Sequence, residues 1–432
     1  MTIGRLRLTE LGLLLPAAGV ALVGAAILLL QHGVALTWTA LAPALATVVL
    51  FVLAHAWLVA RRPRADQTLL PIAALLTAVG QAMVTRIEPT LGPRQLVWLG
   101  LSMAVWAVVI WFPRPVRWLA RYRYTAAALG IVLLASTMVL GVDPNNSGVR
   151  IWLGAGGLYF QPSELLKVLL VIFLAAYLDE VRDLLGATDA TAGQPLRPSL
   201  AHLAPIALIG GVCLGLMLIQ RDLGPAFLFF AVSLAMLYVA TGRALYAGAG
   251  LVLFGIGALV GYRLFSVARV RVDIWLDPWT DAAGRGYQVV QGLLAIANGG
   301  VFGVGIGYGH PEILPAAHTD FPFAVLAEEM GLVGAAAVLT LFVVLTTRGF
   351  AVALRARDGF STLLAAGLTS VLALQALIIV AGNLKLLPLT GITLPFVSYG
   401  GSSLLTNFLI LGLLLRVAAE AGEHAASDRP AT

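Results

Sequence analysis

Apolar stretches of about twenty residues recur along the whole 432-residue chain, separated mostly by short polar breaks. A helix needs roughly 20 such residues to cross the ~30 Å core of a bilayer. The runs are unbroken and lack the period-two alternation of barrel strands. They therefore predict an all-α, polytopic helical membrane protein with about twelve spans, at residues 11–30, 37–60, 68–85, 95–112, 124–141, 163–178, 203–219, 224–240, 245–263, 323–347, 360–382 and 403–418. The first run is too long and uninterrupted for a signal-peptide core and is read as a retained helix. Three connections are long, at 142–162, 264–322 and 383–402, and are rich in Gly, Pro and aromatic residues. That composition suits ordered, partly buried loops lining a cavity. The expected organisation is an N-terminal accessory pair at 1–67, a core at 68–418 holding the long extracytoplasmic loop 264–322, a mobile linker at 183–198 and a disordered cytoplasmic tail at 419–432.

Composition agrees with a membrane setting. The chain is 60% hydrophobic and 11% charged, against roughly 25% charged in soluble domains. A net charge of +6 does not signal nucleic acid here, because basic residues sit in short loops where they set topology and meet anionic lipid. Seventeen of the 27 basic residues fall in alternate loops, which predicts both termini in the cytoplasm. The other ten gather on the opposite side: Arg86, Arg94, Arg150, Lys167, Arg221, Arg263, Arg269, Arg271, Arg285 and Lys385. Topology does not call for cations there. They either pair with local acids or face an anionic partner. The single cysteine, Cys213, excludes an internal disulfide and a Cys-rich metal site.

Charge inside or beside the apolar runs marks the candidate chemistry. In AAHTDFPFAVLAEEMG, residues 316–331, His318 and Asp320 stand at the mouth of a span and Glu328 and Glu329 lie within it. Asp320, followed by Pro322, either caps a helix start or acts as a general base for a sugar hydroxyl, with His318 orienting it or binding ligand. Adjacent acids project about 100° apart, so Glu328 and Glu329 face different surroundings, as relay groups or as structural hydrogen-bond partners. In SGVRIWLGAGGLYFQPSELLK, residues 147–167, Ser163 can cap a helix. Lys167, one turn in, either snorkels or meets an anion; Arg150 precedes it. In QRDLGPA, residues 220–226, Arg221 either pairs with Asp222 or faces the cavity. GITLPFVSYGGSSLL, residues 391–405, can offer backbone N–H groups around Ser398, Gly400 and Gly401 to phosphate, or serve close packing. GVGIGYG at 303–309 is no dinucleotide fingerprint, since Tyr308 replaces the third glycine and no βαβ unit surrounds it.

These motifs together resemble the SEDS family (shape, elongation, division and sporulation proteins). The residues carrying the resemblance are Trp152 with Phe160–Lys167, Gln220–Gly224, Asp277-Pro278-Trp279 with Gly286-Tyr287-Gln288, His318–Phe321, Glu328–Gly331 and Leu387–Ser403. They span roughly residues 68–418 in the family's order. Two departures stand out: Pro322 follows the HTDF motif, and Arg221 replaces the proline of the family's QPDLG. Residues 1–60 add a helix pair to the usual ten.

The resemblance implies a peptidoglycan glycosyltransferase that polymerises lipid II with a class B penicillin-binding protein as partner. It places the catalytic aspartate on Asp320 and the essential lysine on Lys167. Lys167, Arg150, Arg221, His318, Glu328, Ser398, Gly400 and Gly401 become expected substrate contacts. Mg²⁺ or Mn²⁺ are candidate cofactors that the sequence does not assign, and no metal ligands are expected. The expected location is the bacterial cytoplasmic membrane, with the site on its outer face and a slight lean toward cell elongation. The alternatives are a flippase for the lipid-linked precursor, using Glu328 and Glu329 as coupling acids, and a scaffold that activates the partner synthase.

Overall fold

A computed structural model describes residues 7–31, 33–144, 148–156, 158–186 and 200–427. The chain is helical: α1 (Leu8–Gln31), α2 (Trp38–Arg61), α3 (Leu69–Ile87), α4 (Gly92–Trp111), α5 (Arg123–Leu140), α6 (Pro162–Gly186), α7 (Leu200–Ile219), α8 (Leu223–Thr241), α9 (Ala244–Leu264), α10 (Ser266–Leu276), α11 (Tyr287–Gly299), α12 (Pro322–Arg355), α13 (Gly359–Asn383) and α14 (Gly401–Ser427). A small antiparallel hairpin, β1 (Leu153–Ala155) with β2 (Leu158–Phe160), pairs Leu153 with Phe160 inside the loop before α6.

All twelve expected spans are helices. Among the described residues, eleven are long and apolar enough to cross a membrane. The twelfth, α6, is long enough but carries Glu164, Asp179, Glu180, Asp183, Lys167 and Arg182. Its apolar side chains from Val168 to Leu178 are almost all buried, so protein rather than lipid surrounds much of it. The loop 264–322 is more regular than a connection, since it folds into α10, α11 and two short 3₁₀ turns. The last helix runs past Ala419 to Ser427, which corrects the expected disorder of the tail up to that point. Its Ala- and Glu-containing continuation has good helix propensity, and Glu420 lies 3.5 Å from Arg416 one turn back. Residues 428–432 lie outside the described residues, as does the expected linker 183–198 from 187 onward.

The helices divide into two compact units: residues 1–113, 270–351 and 375–432, and residues 114–269 with 352–374. The N-terminal pair is thus part of the first unit rather than a unit of its own. Arg7 anchors it. This side chain is 1% exposed and donates to the carbonyls of Ala65 (2.9 Å) and Asp66 (3.2 Å) in the α2–α3 turn. It also pairs with Glu10, whose other oxygen meets His55 Nδ1 on α2 at 2.6 Å. An arginine buried among carbonyls and a carboxylate is stable because both of its terminal Nη groups are used.

α12 is the element that shapes the first unit. Its helical geometry breaks at Gly331, where φ is 65° and ψ −166°. The glycine-rich segment after α11 fills the break. Leu332 N donates to Gly300 O (3.0 Å) and Val333 N to Val301 O (3.1 Å), while Val304 N and Gly305 N donate to the carbonyls of Glu328 and Glu329 (both 3.0 Å). The run Gly303–Gly309 thus has a physical use, as backbone that can approach another backbone closely. A Cβ on Gly331 would press into Gly303 N and Val301 O. Gly331→Ala should therefore destabilise the detergent-solubilised protein by more than about 1 kcal/mol, read as a lowered thermal midpoint, whereas Gly255→Ala, with open space around its Cβ, should not.

Candidate active site

The mouth of α12 is built from local turns. Thr319 N and Asp320 N both donate to Ala316 O, at 3.1 and 3.0 Å. Val325 N donates to Phe321 O, so Phe321 holds the cap position and Pro322 is the first helical residue, where its missing N–H costs nothing. Asp320 sits one position too early to be the cap, which separates it from the capping alternative. The α11 start braces the approach: Tyr287 Oη donates to Ile313 O (3.2 Å) and Gln288 Nε2 to Pro315 O (3.0 Å). Gly292 leaves room for the Phe321 ring, which a Cβ there would meet at 2.5 Å. Asn383, at the end of α13, donates to Asp320 O at 2.9 Å.

The Asp320 carboxyl lines an open cavity of about 160 Å³ with Arg271 and Trp275 of α10, Arg285 and Gln288 around the α11 start, and Lys385, Leu387, Leu389 and Gly391 from the connection after α13. That volume is below the ~300–1,000 Å³ of a drug-sized pocket. It suits one charged or hydroxyl-bearing group of a substrate whose bulk lies outside. Lys385 holds a left-handed backbone (φ 58°) without being glycine, and its carbonyl accepts from Trp275 Nε1 at 3.1 Å. Strain of this kind needs a surrounding structure that enforces it and is frequent where a side chain must be aimed. Burial pushes the Asp320 carboxyl up to about 6, against the opposing pull of a Thr319 hydrogen bond and the Arg271 charge. An acid with that proton affinity is available as a base at neutral pH.

The structure sorts the other expected residues. His318 packs its ring edge-on against Tyr399 (5.8 Å) and its carbonyl accepts from Tyr399 N at 2.8 Å; burial lowers its proton affinity. It is not among the residues lining the Asp320 cavity. Glu328 is 4% exposed, with one oxygen accepting from Asn298 Nδ2 (3.0 Å) and the other from His310 N (3.3 Å). Glu329 accepts from Gly307 N (2.8 Å) and pairs with Arg86 Nε (3.1 Å). Both acids therefore hold the 298–310 segment against α12, and Glu328 is not among the residues lining the Asp320 cavity. Ser398 N donates to Leu394 O and its hydroxyl accepts from Leu394 N (2.8 Å); Gly401 is buried against Trp98, and Gly400 lies against Thr393 and Ser403. The close-packing alternative describes this loop: Gly80 of α3 receives it so tightly that a Cβ would lie 2.6 Å from the carbonyls of Phe396 and Val397.

Lys167, Arg150 and Arg221 belong to the second unit. Lys167 neither snorkels nor stands open: it is 3% exposed and bonds Glu164 on its own helix at 2.6 Å. Arg150 is exposed before the hairpin. Arg221 occupies a left-handed turn (φ 60°) beside a separate small cavity with Leu218, Phe265 and Ser266. The cations that accompany Asp320 are instead Arg271, Arg285 and Lys385. Their only signal in the sequence was membership of the cation excess on one side.

Among the described residues, no group of three or more His, Cys, Asp or Glu is placed to hold a metal ion. Asp320 offers a divalent ion a single carboxylate beside three cations, so any Mg²⁺ or Mn²⁺ there would take its remaining oxygens from water and substrate phosphates.

Fold and site define a polytopic helical membrane protein with an elevated-affinity carboxyl in a cation-lined cavity. The chain belongs to the FtsW/RodA/SpoVE family: the profile of these proteins, described as cell cycle protein, matches residues 66–423. It is 39% identical over 392 residues, 88% of this chain and 83% of the relative, to the peptidoglycan glycosyltransferase RodA of Mycobacterium tuberculosis H37Rv. It is 37% identical over 289 residues, 66% of this chain and 75% of the relative, to the stage V sporulation protein E of Bacillus subtilis 168. A chain from a structure of a peptidoglycan synthase complex superimposes with a TM-score of 0.67 at 31% identity, covering 83% of this chain and 98% of that one. The crystal structure of Thermus thermophilus RodA gives 0.58 at 30%, covering 82% and 96%. The helices α1 and α2 precede the region that the family profile matches.

The raised Asp320 proton affinity has a stability consequence. Its folded value lies above the ordinary 3.8, so the folded state holds the proton more tightly, and stability is lost as pH rises from about 4 to about 6. Asp320→Asn removes that loss. Its thermal midpoint should match wild type near pH 4 and exceed it above pH 6.5, by roughly 1–3 kcal/mol in stability, in detergent unfolding scans.

Proposed function

We propose that this chain is a peptidoglycan glycosyltransferase that polymerises lipid II at the outer face of the bacterial cytoplasmic membrane, with Asp320 as general base. Family membership and the relatives' names support the activity. The observation that carries the site is the Asp320 carboxyl in a cavity shared with Arg271, Arg285 and Lys385.

The chemistry follows from the groups present. The acceptor's sugar 4-hydroxyl attacks the anomeric carbon of the donor, its proton passes to Asp320, and the bond from that carbon to the pyrophosphate oxygen breaks. A single displacement inverts the α-linked donor to a β-1,4 bond. The leaving pyrophosphate gains negative charge, which fixed cations stabilise most strongly where water is scarce. Arg285 and Lys385 fill that role, which the sequence had assigned to Lys167, Arg150 and Arg221. The polyprenyl tails remain in the bilayer, so only the polar junction has to enter the small cavity. The partner is a class B penicillin-binding protein, as suits a family relative solved within a peptidoglycan synthase complex. Longer alignment with RodA than with the sporulation relative favours a cell-shape role.

The test is polymerisation of fluorescent lipid II by purified protein, with and without the partner synthase. Asp320→Asn should lose at least about 10²-fold in rate while still binding lipid II. Lys385→Ala should chiefly lower kcat, with a smaller rise in KM. Near wild-type turnover by Asp320→Asn defeats the assignment. Transbilayer movement of lipid II in vesicles without glycan product would favour the transporter.

A further inference from the structure

The three cations around Asp320 are not equivalent. Arg285, in the turn before α11, is engaged by Asp281 at 3.3 Å. Lys385, after α13, places its charge on Asp277, helping to hold that acid below its usual range behind its hydrogen bonds to Thr280 and Trp279. Arg271 of α10 donates Nη1 to Thr390 O at 3.1 Å. Its Nη2 and Asp320 Oδ2 both look onto Gly391, where an added Cβ would lie 4.0 and 3.9 Å from them. Gly391 is left-handed, with φ 70°. Guanidinium and carboxyl therefore border the same point beside Gly391, which a Cβ would occupy at ordinary contact distance from both.

We propose that Arg271 is a positioning residue that acts through Asp320: braced on Thr390 O, its guanidinium sets how tightly the Asp320 carboxyl holds a proton. This rests on the reading of Asp320 as the general base. Burial favours the neutral acid, and a nearby fixed cation opposes it, typically by one to three pH units at about 4–6 Å. Arg285 and Lys385 also face the cavity, but Arg285 is paired with Asp281 and the Lys385 charge acts on Asp277. Arg271 thus keeps the carboxyl ionised at neutral pH, and Arg285 and Lys385 remain for the substrate's phosphates.

The experiment compares wild type, Arg271→Gln and Arg271→Lys. Glutamine keeps an N–H donor for Thr390 O and removes the charge; lysine keeps the charge. In pH–rate profiles of lipid II polymerisation, wild type should rise with a midpoint near pH 6. Arg271→Gln should move that midpoint up by about one pH unit, a loss of about fivefold at pH 6 that narrows by pH 8. Arg271→Lys should restore the wild-type midpoint. A second arm needs no activity. The stability gained by Asp320→Asn, followed by thermal unfolding against pH, should level off near pH 6 in the wild-type background and near pH 7 in the Arg271→Gln background. A uniform loss of rate with an unmoved midpoint, or the same levelling pH in both backgrounds, overturns the proposal. If wild type makes no glycan, the glycosyltransferase reading falls, and the unfolding arm still decides what Arg271 does to Asp320.

Discussion

A backbone N–H or C=O in an apolar setting must find a partner, because leaving one bare costs several kcal/mol. In this protein that constraint concentrates at Gly331, where α12 stops being an ordinary helix. The four hydrogen bonds that the break would lose are supplied by residues 300–305. Glu328 and Glu329 then fasten the following residues, 307–310, from the same side. Two carboxylates within a span are costly unless used, and here each accepts from backbone or side-chain N–H donors, with Arg86 paired to Glu329. The result is a short stiff segment, 322–330, whose mouth lies where α10, α11 and the post-α13 connection converge. Asp320 stands there because the break is closed.

The electrostatics of the mouth then follow from competing terms. Burial disfavours a charged Asp320, and Arg271 and Thr319 favour it; burial wins, leaving the carboxyl well above its usual range yet below neutrality. An unopposed buried acid would be protonated at pH 7 and useless as a base. A carboxyl tightly paired with arginine would be ionised but a poor proton acceptor.

Much of the fold was legible because bilayer thickness imposes its period on the sequence. The twelve helices fall where the apolar runs lie. What was not legible depended on partners distant in the chain. Lys167 read as a cation at a membrane edge, but three residues earlier Glu164 lies on the same helical face and takes its charge. The glycines of 303–309 looked like a failed nucleotide motif, because the backbone they approach is 26 residues further on. Arg271, Arg285 and Lys385 showed only as cations on a side that topology does not favour. Their meeting with Asp320 requires the loop 264–322 to fold into α10 and α11, for which the alternation of apolar and charged residues was too short to decide. Asp320 itself was legible through its motif, and Pro322, a departure from the family pattern, proved to be a favourable first helical residue.

The cation excess can now be divided by cause. Arg86 is engaged by Glu329 and the carbonyls of Gly307 and Gly309, and Arg269 by the carbonyls of Tyr262 and Arg263, so both hold backbone in place. Arg285 keeps Asp281 at an exposed position, where pairing is weak and readily exchanged, and the Lys385 charge acts on Asp277. In the proposed reaction, an incoming pyrophosphate bears more charge than a single carboxylate and offers several oxygens, so it could displace Asp281 from Arg285 at little cost. Arg271 has its partner inside the cavity, and with Asp320 near 6 the carboxyl is about 90% ionised at pH 7. In the proposed reaction, base and anion receptor can therefore operate side by side: Arg285 and Lys385 would meet the phosphate, and the acid that meets the hydroxyl would answer to Arg271.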